Sequence, residues 1–298
     1  MRTAFIKRLI AEARTDTSIF LIVGDLGFSV VEPFVEEFPD RFLNAGVAEQ
    51  NMTGVAVGLA MEGFKVFTYS IGNFPTLRCM EQIRNDVCYH EANVKIVAVG
   101  GGYAYGPLGF SHHATEELGM LRTIPNLAVC IPGDPLEAES ATSLLVRNSG
   151  PCYMRLGKAG EGVVHTGTVS IDWGKMVLVR EGQKTAVLTN GSLLKTALDF
   201  ITQNDLDWGL YSVPFIRPFD SAALKRISLT YDTILTIEEH QRSGGLGSVI
   251  LEQLNDLKEE RPEDRYPSVK RIAIPDMFMY VAGTQQYLQA KAGLMLNI

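Results

Sequence analysis

Apolar positions recur along the chain in two alternating rhythms. Phe5, Ile6, Leu9, Ile10 and Ala13 fall on one face at helical spacing, and the run 19–23 behind them is apolar throughout but too short for a buried helix. The pair predicts a helix feeding a buried strand that ends at Asp25. The same alternation predicts a helix through Met52, Val55, Ala56 and Leu59 closed by Gly63, a strand at 66–69, a helix at 78–87, and strands at 94–99 and 127–131. Asp134-Pro135-Leu136-Glu137 reads as a helix start, with an aspartate cap, proline at the first helical position and a glutamate three residues on. From Gly157 to Gly182 the rhythm lapses into Gly, Lys, Glu and Thr, which places a domain boundary there. It then resumes, with strands at 185–189, 209–213, 233–237 and 269–274 and helices near 192–203, 220–227 and 246–258. Repeated strand-helix units predict parallel sheets covered on both faces, so the expected fold class is α/β: two domains with parallel or mixed sheets, residues 1–165 and 172–298.

Length and composition agree with that picture. The 298 residues are about twice the usual length of one domain, and 46% hydrophobic with 20% charged residues is ordinary for a globular chain. Charge narrows the partners. With 27 Lys and Arg against 34 Asp and Glu, the net charge of -7 opposes a non-specific grip on nucleic acid or anionic lipid. No apolar run is long enough to cross a bilayer, and the opening residues carry charges where a signal peptide has its apolar centre, so a cytoplasmic location is expected. Cys79, Cys88, Cys130 and Cys152 show neither Cys-x-x-Cys nor metal spacing and are read as buried reduced thiols, with no metal site in this chain.

In open α/β sheets ligands bind beyond the carboxyl ends of the strands, so the residues just after each strand are the ones to inspect. Four places stand out: Asp25, the turn at Glu49, the loop from Gly100 to His113, and Arg155. Glu49 opens a helix whose following positions, Gly54, Ala56, Gly58 and Ala60, are all small. A first-turn glutamate can simply answer the helix dipole; alternatively it is a desolvated carboxyl able to share a proton with a ring nitrogen. The loop is long and glycine-rich, which favours a functional role. Its adjacent His112 and His113 point opposite ways, so at most one faces a given site. The glycines fit neither a dinucleotide fingerprint nor a P-loop, and there is no nucleophile elbow. Glu238-Glu239-His240, running into Gly244-Gly245-Leu246-Gly247, is read first as a helix cap or a contact between subunits and only second as an anion site.

Taken in order, Gly24-Asp25-Leu26, Gly46-Val47-Ala48-Glu49-Gln50-Asn51-Met52, Gly109-Phe110-Ser111-His112-His113, Tyr153-Met154-Arg155 and Thr236-Ile237-Glu238-Glu239-His240 with Gly244-Gly245-Leu246-Gly247 resemble the C-terminal two-thirds of the transketolase and deoxyxylulose-phosphate synthase family. The resemblance spans nearly the whole chain. It implies thiamine diphosphate and a transferase that moves a two-carbon ketol unit between sugars. Glu49 stands where the family's glutamate hydrogen-bonds the aminopyrimidine nitrogen. Tyr69, with Phe74 as second candidate, stands for the aromatic stacked on that ring, and Asp25 and Leu26 for residues beside the cofactor. His112 is the matching catalytic histidine facing cofactor and substrate, with His113 beside it as a substrate contact. Arg155 stands for the arginine that grips a substrate phosphate.

Departures from the family pattern sharpen the expectation. The position of another phosphate-side histidine falls on Gly100 and that of a hydroxyl-reading aspartate near Leu108. The resemblance thus leaves open a small or non-phosphorylated sugar, or a phosphate held differently. The Gly-Asp-Gly segment that binds magnesium and the diphosphate has no match. The resemblance therefore implies a separate larger subunit carrying that half and the Mg2+ ligands, in a heterotetramer. Two alternatives share the layout: the beta subunit of a 2-oxo-acid dehydrogenase's decarboxylating component, and a non-catalytic regulatory subunit.

Overall fold

The computed structural model describes residues 1–296. Strands β1 (Ile19–Val23), β2 (Phe42–Asn44), β3 (Lys65–Ile71), β4 (Val94–Val99), β5 (Ala128–Cys130) and β6 (Cys152–Leu156) precede the quiet stretch; β7 (Val177–Arg180), β8 (Thr185–Thr189), β9 (Gly209–Ser212), β10 (Phe215–Arg217), β11 (Thr233–Gln241) and β12 (Ser268–Ile274) follow it. They form a seven-stranded sheet, β10-β5-β6-β4-β3-β1-β2, and a five-stranded sheet, β12-β11-β8-β9-β7. Pairing is parallel except for β10 on β5 and β7 on β9. The expected α/β class with mixed sheets is what the chain forms.

Burial on both faces explains the continuous apolar strands. Phe5, Leu9 and Ile10 of helix Arg2–Ala13 join Ala138, Ala141 and Leu145 of helix Pro135–Arg147 against one face of the large sheet. Met52, Ala56 and Val57 of helix Glu49–Met61 cover the other. The Asp134 side chain accepts the Glu137 amide at 2.8 Å, which starts the helix at Pro135 as its sequence predicts. All four cysteines are free and buried, and burial pushes their thiols up, to about 12 for Cys88 and Cys152.

Two local departures have physical causes. The helix expected at 78–87 is a 3-10 turn at Leu77–Cys79, one α turn at Met80–Gln82 and a π-helix at Ile83–Cys88. The wider π turn brings Ile83, Val87 and Cys88, spaced by four and five residues, to the same core. The second departure is β10, which no apolar rhythm predicts. It leaves the second domain to pair with β5, and the core beneath it runs on through Val129 and Ile131 to Val213, Leu224 and Ile227.

Buried carboxylates fix a helix of the second domain and the connecting stretch. Glu238 Oε1 accepts the Gly247 amide at 2.8 Å and Oε2 the Leu246 amide at 2.5 Å, so this carboxylate caps helix Leu246–Glu260, in line with the first reading of that segment. Asp134 Oδ2 holds the amides of Val164 and His165 at 2.9 and 3.1 Å, strapping the connecting stretch to the first domain.

His240 reaches across the joint. Its Nε2 accepts the Gly119 amide at 3.1 Å and its Nδ1 lies 2.8 Å from the Gln241 carbonyl, which fits a neutral ring carrying its proton on Nδ1. Burial pushes its pKa down to about 4, with Arg155 adding to the drop and Glu116 opposing it. The unfolded chain takes up this proton near 6.5, the folded chain only near 4, so stability is intact above the higher value and drains as pH falls between the two. In urea unfolding, the acid-induced loss between neutrality and about pH 4.5 is expected to shrink by roughly 2 kcal/mol in His240→Gln; an unchanged pH slope would show that the histidine does not titrate this way.

Candidate functional site

The chain passes from β1 outward to β2, and helix Glu49–Met61 then carries it back to β3 on the other side of β1. That reversal opens a crevice at the carboxyl ends of β1 and β3. Gly24 ends β1 there, and a β-carbon on it would stand 3.5 Å from both Glu49 Cγ and Ser70 Oγ. Glu49 is the first residue of its helix, whose N-cap, Ala48, supplies no side-chain bond. The residue is 2% exposed.

A chain of contacts runs from that carboxylate to the histidine loop. Arg78 NH1 lies 3.1 Å from Glu49 Oε2, and the same guanidinium covers the Phe74 ring at 4.8 Å from its centroid. Phe74 meets the His112 ring edge-on at 5.1 Å. His112 Nδ1 is 3.0 Å from Ser111 Oγ, and Asn73 Nδ2 donates to the Ser111 carbonyl at 3.0 Å, which ties the histidine loop to the end of β3. Partial burial holds the His112 pKa below the ordinary histidine value, so the ring is neutral at neutral pH. Ser70 Oγ is buried with no hydrogen-bond partner among the described residues. Asp25, at φ 56, is fixed by a mutual pair of bonds with Asn44: its amide donates to Oδ1 and its Oδ1 accepts from Nδ2, both at 3.0 Å. Leu26 follows, half-buried, and lines a cavity with Tyr69 and Ser70.

Three further expected site residues make contacts away from Glu49. Tyr69 alternates with Ser70 along β3 and points to the opposite face, stacked on Phe5 with ring centroids 6.1 Å apart. Its ring packs into the core, burial pushes its phenol well up, and with Leu26 and Ser70 it lines a cavity at the ends of β1 and β3, whereas Phe74 is the aromatic candidate that touches Arg78 and His112. His113 turns from its neighbour as expected, packing edge-on to Tyr103 at 5.0 Å with its Nε2 buried and unpartnered among the described residues. Arg155 sits inside the domain joint. Its NH1 is 3.1 Å from Glu117 and its NH2 donates to the Glu239 carbonyl at 2.8 Å. The loop glycines owe their identity to this joint: a β-carbon on Gly101 would collide with Arg155 Nε, and one on Gly102 with Glu239 Cγ. Arg155, 7% exposed, thus ties the two domains through these bonds.

Sequence reasoning missed Arg78, Ser70, Asn44 and Glu117. Only Arg78 left a signal, its four-residue spacing from Phe74 next to a helical run. The others reach their places through pairing of distant strands and loops.

This architecture is that of a two-domain α/β protein with a carboxylate-lined crevice at the switch point of its larger sheet. Residues 1–160 match the transketolase pyrimidine binding domain and residues 174–296 the transketolase C-terminal domain, so the chain belongs to the transketolase family, which is thiamine-diphosphate-dependent. It is 32% identical over 280 residues, 92% of this chain and 87% of the relative, to an apulose-4-phosphate transketolase subunit of Phocaeicola vulgatus. The namesake protein of Actinobacillus succinogenes is 29% identical over 294 residues, covering 97% of this chain and 92% of the relative. Among solved structures, a split gene transketolase described as an inactive beta4 tetramer superposes with a TM-score of 0.85 at 30% identity, covering 99% of this chain and 93% of that one. Among the described residues no helix is long and apolar enough to cross a membrane.

Proposed function

We propose that this chain is the small subunit of a cytoplasmic thiamine-diphosphate-dependent transketolase that moves a two-carbon ketol unit between sugars, with an active site completed by a larger diphosphate-binding subunit in a heterotetramer. The observation that carries the reading is the buried Glu49 carboxylate, linked through Arg78 to Phe74 and through Phe74 to His112. The naming of its relatives as subunits of a transketolase supports a partner chain.

The residues present fit such a group. Ser70 Oγ is an unpartnered buried polar atom beside Glu49, and among the described residues no hydrogen bond engages Glu49 Oε1. Both are free to meet a heterocycle. Thiamine diphosphate bound here would supply the carbon nucleophile and electron sink that cleavage next to a ketose carbonyl requires. Glu49 would hold a proton at the pyrimidine ring nitrogen, a task suited to a carboxyl removed from water. Phe74 offers an aromatic face, and Asp25 and Leu26 lie on the turn that follows β1. Neutral His112 can accept or donate a proton at the substrate's oxygen. Magnesium and its ligands are assigned to the larger subunit. His113 and Arg155 are assigned no direct substrate contact.

The test is to recover the chain with its diphosphate-binding partner and to feed the complex ketose donors and 2-oxo acids separately. Ketol transfer is the expected result. Decarboxylation without transfer would reassign the chain to a 2-oxo-acid dehydrogenase, and full turnover by the isolated chain with thiamine diphosphate and magnesium would remove the divided site.

A further inference from the structure

Arg78 touches both side chains proposed to hold the cofactor ring. Its guanidinium pairs with Glu49 Oε2 at 3.1 Å and lies over Phe74, while its own carbonyl accepts from Gln50 Nε2 at 2.8 Å. The pairing is asymmetric: the Glu49 side chain is 1% exposed, the Arg78 side chain 49%. An exposed arginine thus reaches inward to a buried carboxylate, and only its planar, forked head can pair along one edge while stacking on a ring through its face.

Glu49 has a competing place to go. It is the first residue of a helix with no side-chain cap, so free backbone amides of the first turn lie next to it and attract a carboxylate. In the structure it turns instead into the crevice, where Arg78 meets it. We propose that Arg78 is a positioning residue for Glu49: it holds Oε2 in the crevice so that Oε1 is presented to the pyrimidine nitrogen, and it fixes the attitude of the Phe74 ring through the same guanidinium. This rests on the function proposed above. The charge pair is one half of the device and the ring contact the other, so a lysine at 78 keeps the first and loses the second.

The experiment compares Arg78→Met, Arg78→Lys, Glu49→Gln and the Arg78→Met/Glu49→Gln double variant in the complex with the diphosphate-binding partner. Thiamine diphosphate affinity is read by calorimetry, the bound cofactor's near-ultraviolet circular dichroism by spectroscopy, and kcat and KM by ketol transfer. Arg78→Met is expected to weaken cofactor binding and lower kcat by roughly tenfold to a hundredfold each, as loss of a partner that orients a ligating side chain does. It should alter the dichroism band, leave the KM of the sugars nearly unchanged, and be partly rescued by lysine. In the Glu49→Gln background the same change should cost kcat little, because the group it orients is already disabled. An Arg78→Met complex with unchanged affinity and dichroism, or an equal loss of kcat in both backgrounds, overturns the proposal. If Arg78→Met does not assemble, Arg78→Lys decides on the same readouts. Failure of the underlying function is read separately, as a Glu49→Gln complex with unaltered kcat and dichroism.

Discussion

Glu49→Gln in the assembled enzyme is expected to lower kcat by about a hundredfold to ten-thousandfold, the span that positioned proton transfer contributes. Glutamine keeps the shape and an acceptor oxygen but cannot exchange a proton at the ring nitrogen. The site magnifies that difference, because the carboxylate is almost fully removed from water and, among the described residues, Arg78 is its polar partner. The loss should fall on kcat, with KM for the sugars little moved, since the residue lies where the cofactor ring is proposed to sit rather than where the sugar does. Steady-state ketol transfer measures it. Unchanged kcat would take away the residue on which the proposed chemistry depends.

Arg155→Met carries the second large effect, on stability. Glu117 is fully buried, its Oε2 has no partner among the described residues, and its Oε1 has Arg155 at 3.1 Å and the Tyr153 hydroxyl at 3.4 Å. Burial raises the Glu117 pKa while Arg155 opposes the rise. Removing the arginine leaves that carboxyl without its cation and the Glu239 carbonyl without a donor, a loss of about 3–5 kcal/mol for a broken buried pair. Pairing the change with Glu117→Leu should recover part of it, because two apolar groups need no compensation. Urea unfolding of the single and double variants measures this. The companion assay compares phosphorylated and plain sugars in the complex. A domain tie affects both alike, whereas a selective loss for phosphorylated sugars would return Arg155 to the phosphate grip that the family resemblance implies.

Much of the fold was legible because strand and helix periodicities are local. The run 19–23 is apolar on both sides since both faces of its sheet are covered, and Asp134 caps its helix through a bond only three residues long. The place of Glu49 was legible too, at the start of a helix of small residues. Its surroundings were not. Period-two alternation says that Tyr69 and Ser70 face opposite ways, but which face holds the crevice depends on where helix Glu49–Met61 crosses the sheet. The strand β10 was hidden for a like reason: three residues form it only because β5 offers an edge.

The amino-acid order alone thus determined the α/β class, the two-part layout, the carboxylate at the head of its helix and the opposed histidines, since each follows from neighbours within a few residues. Folding decided which polar groups became partners. Arg78 finds Glu49 across 29 positions, and Arg155 finds the Glu239 carbonyl across 84. Such pairs form where desolvated charges must be matched, and that demand exists only once the sheets have brought the groups out of water together.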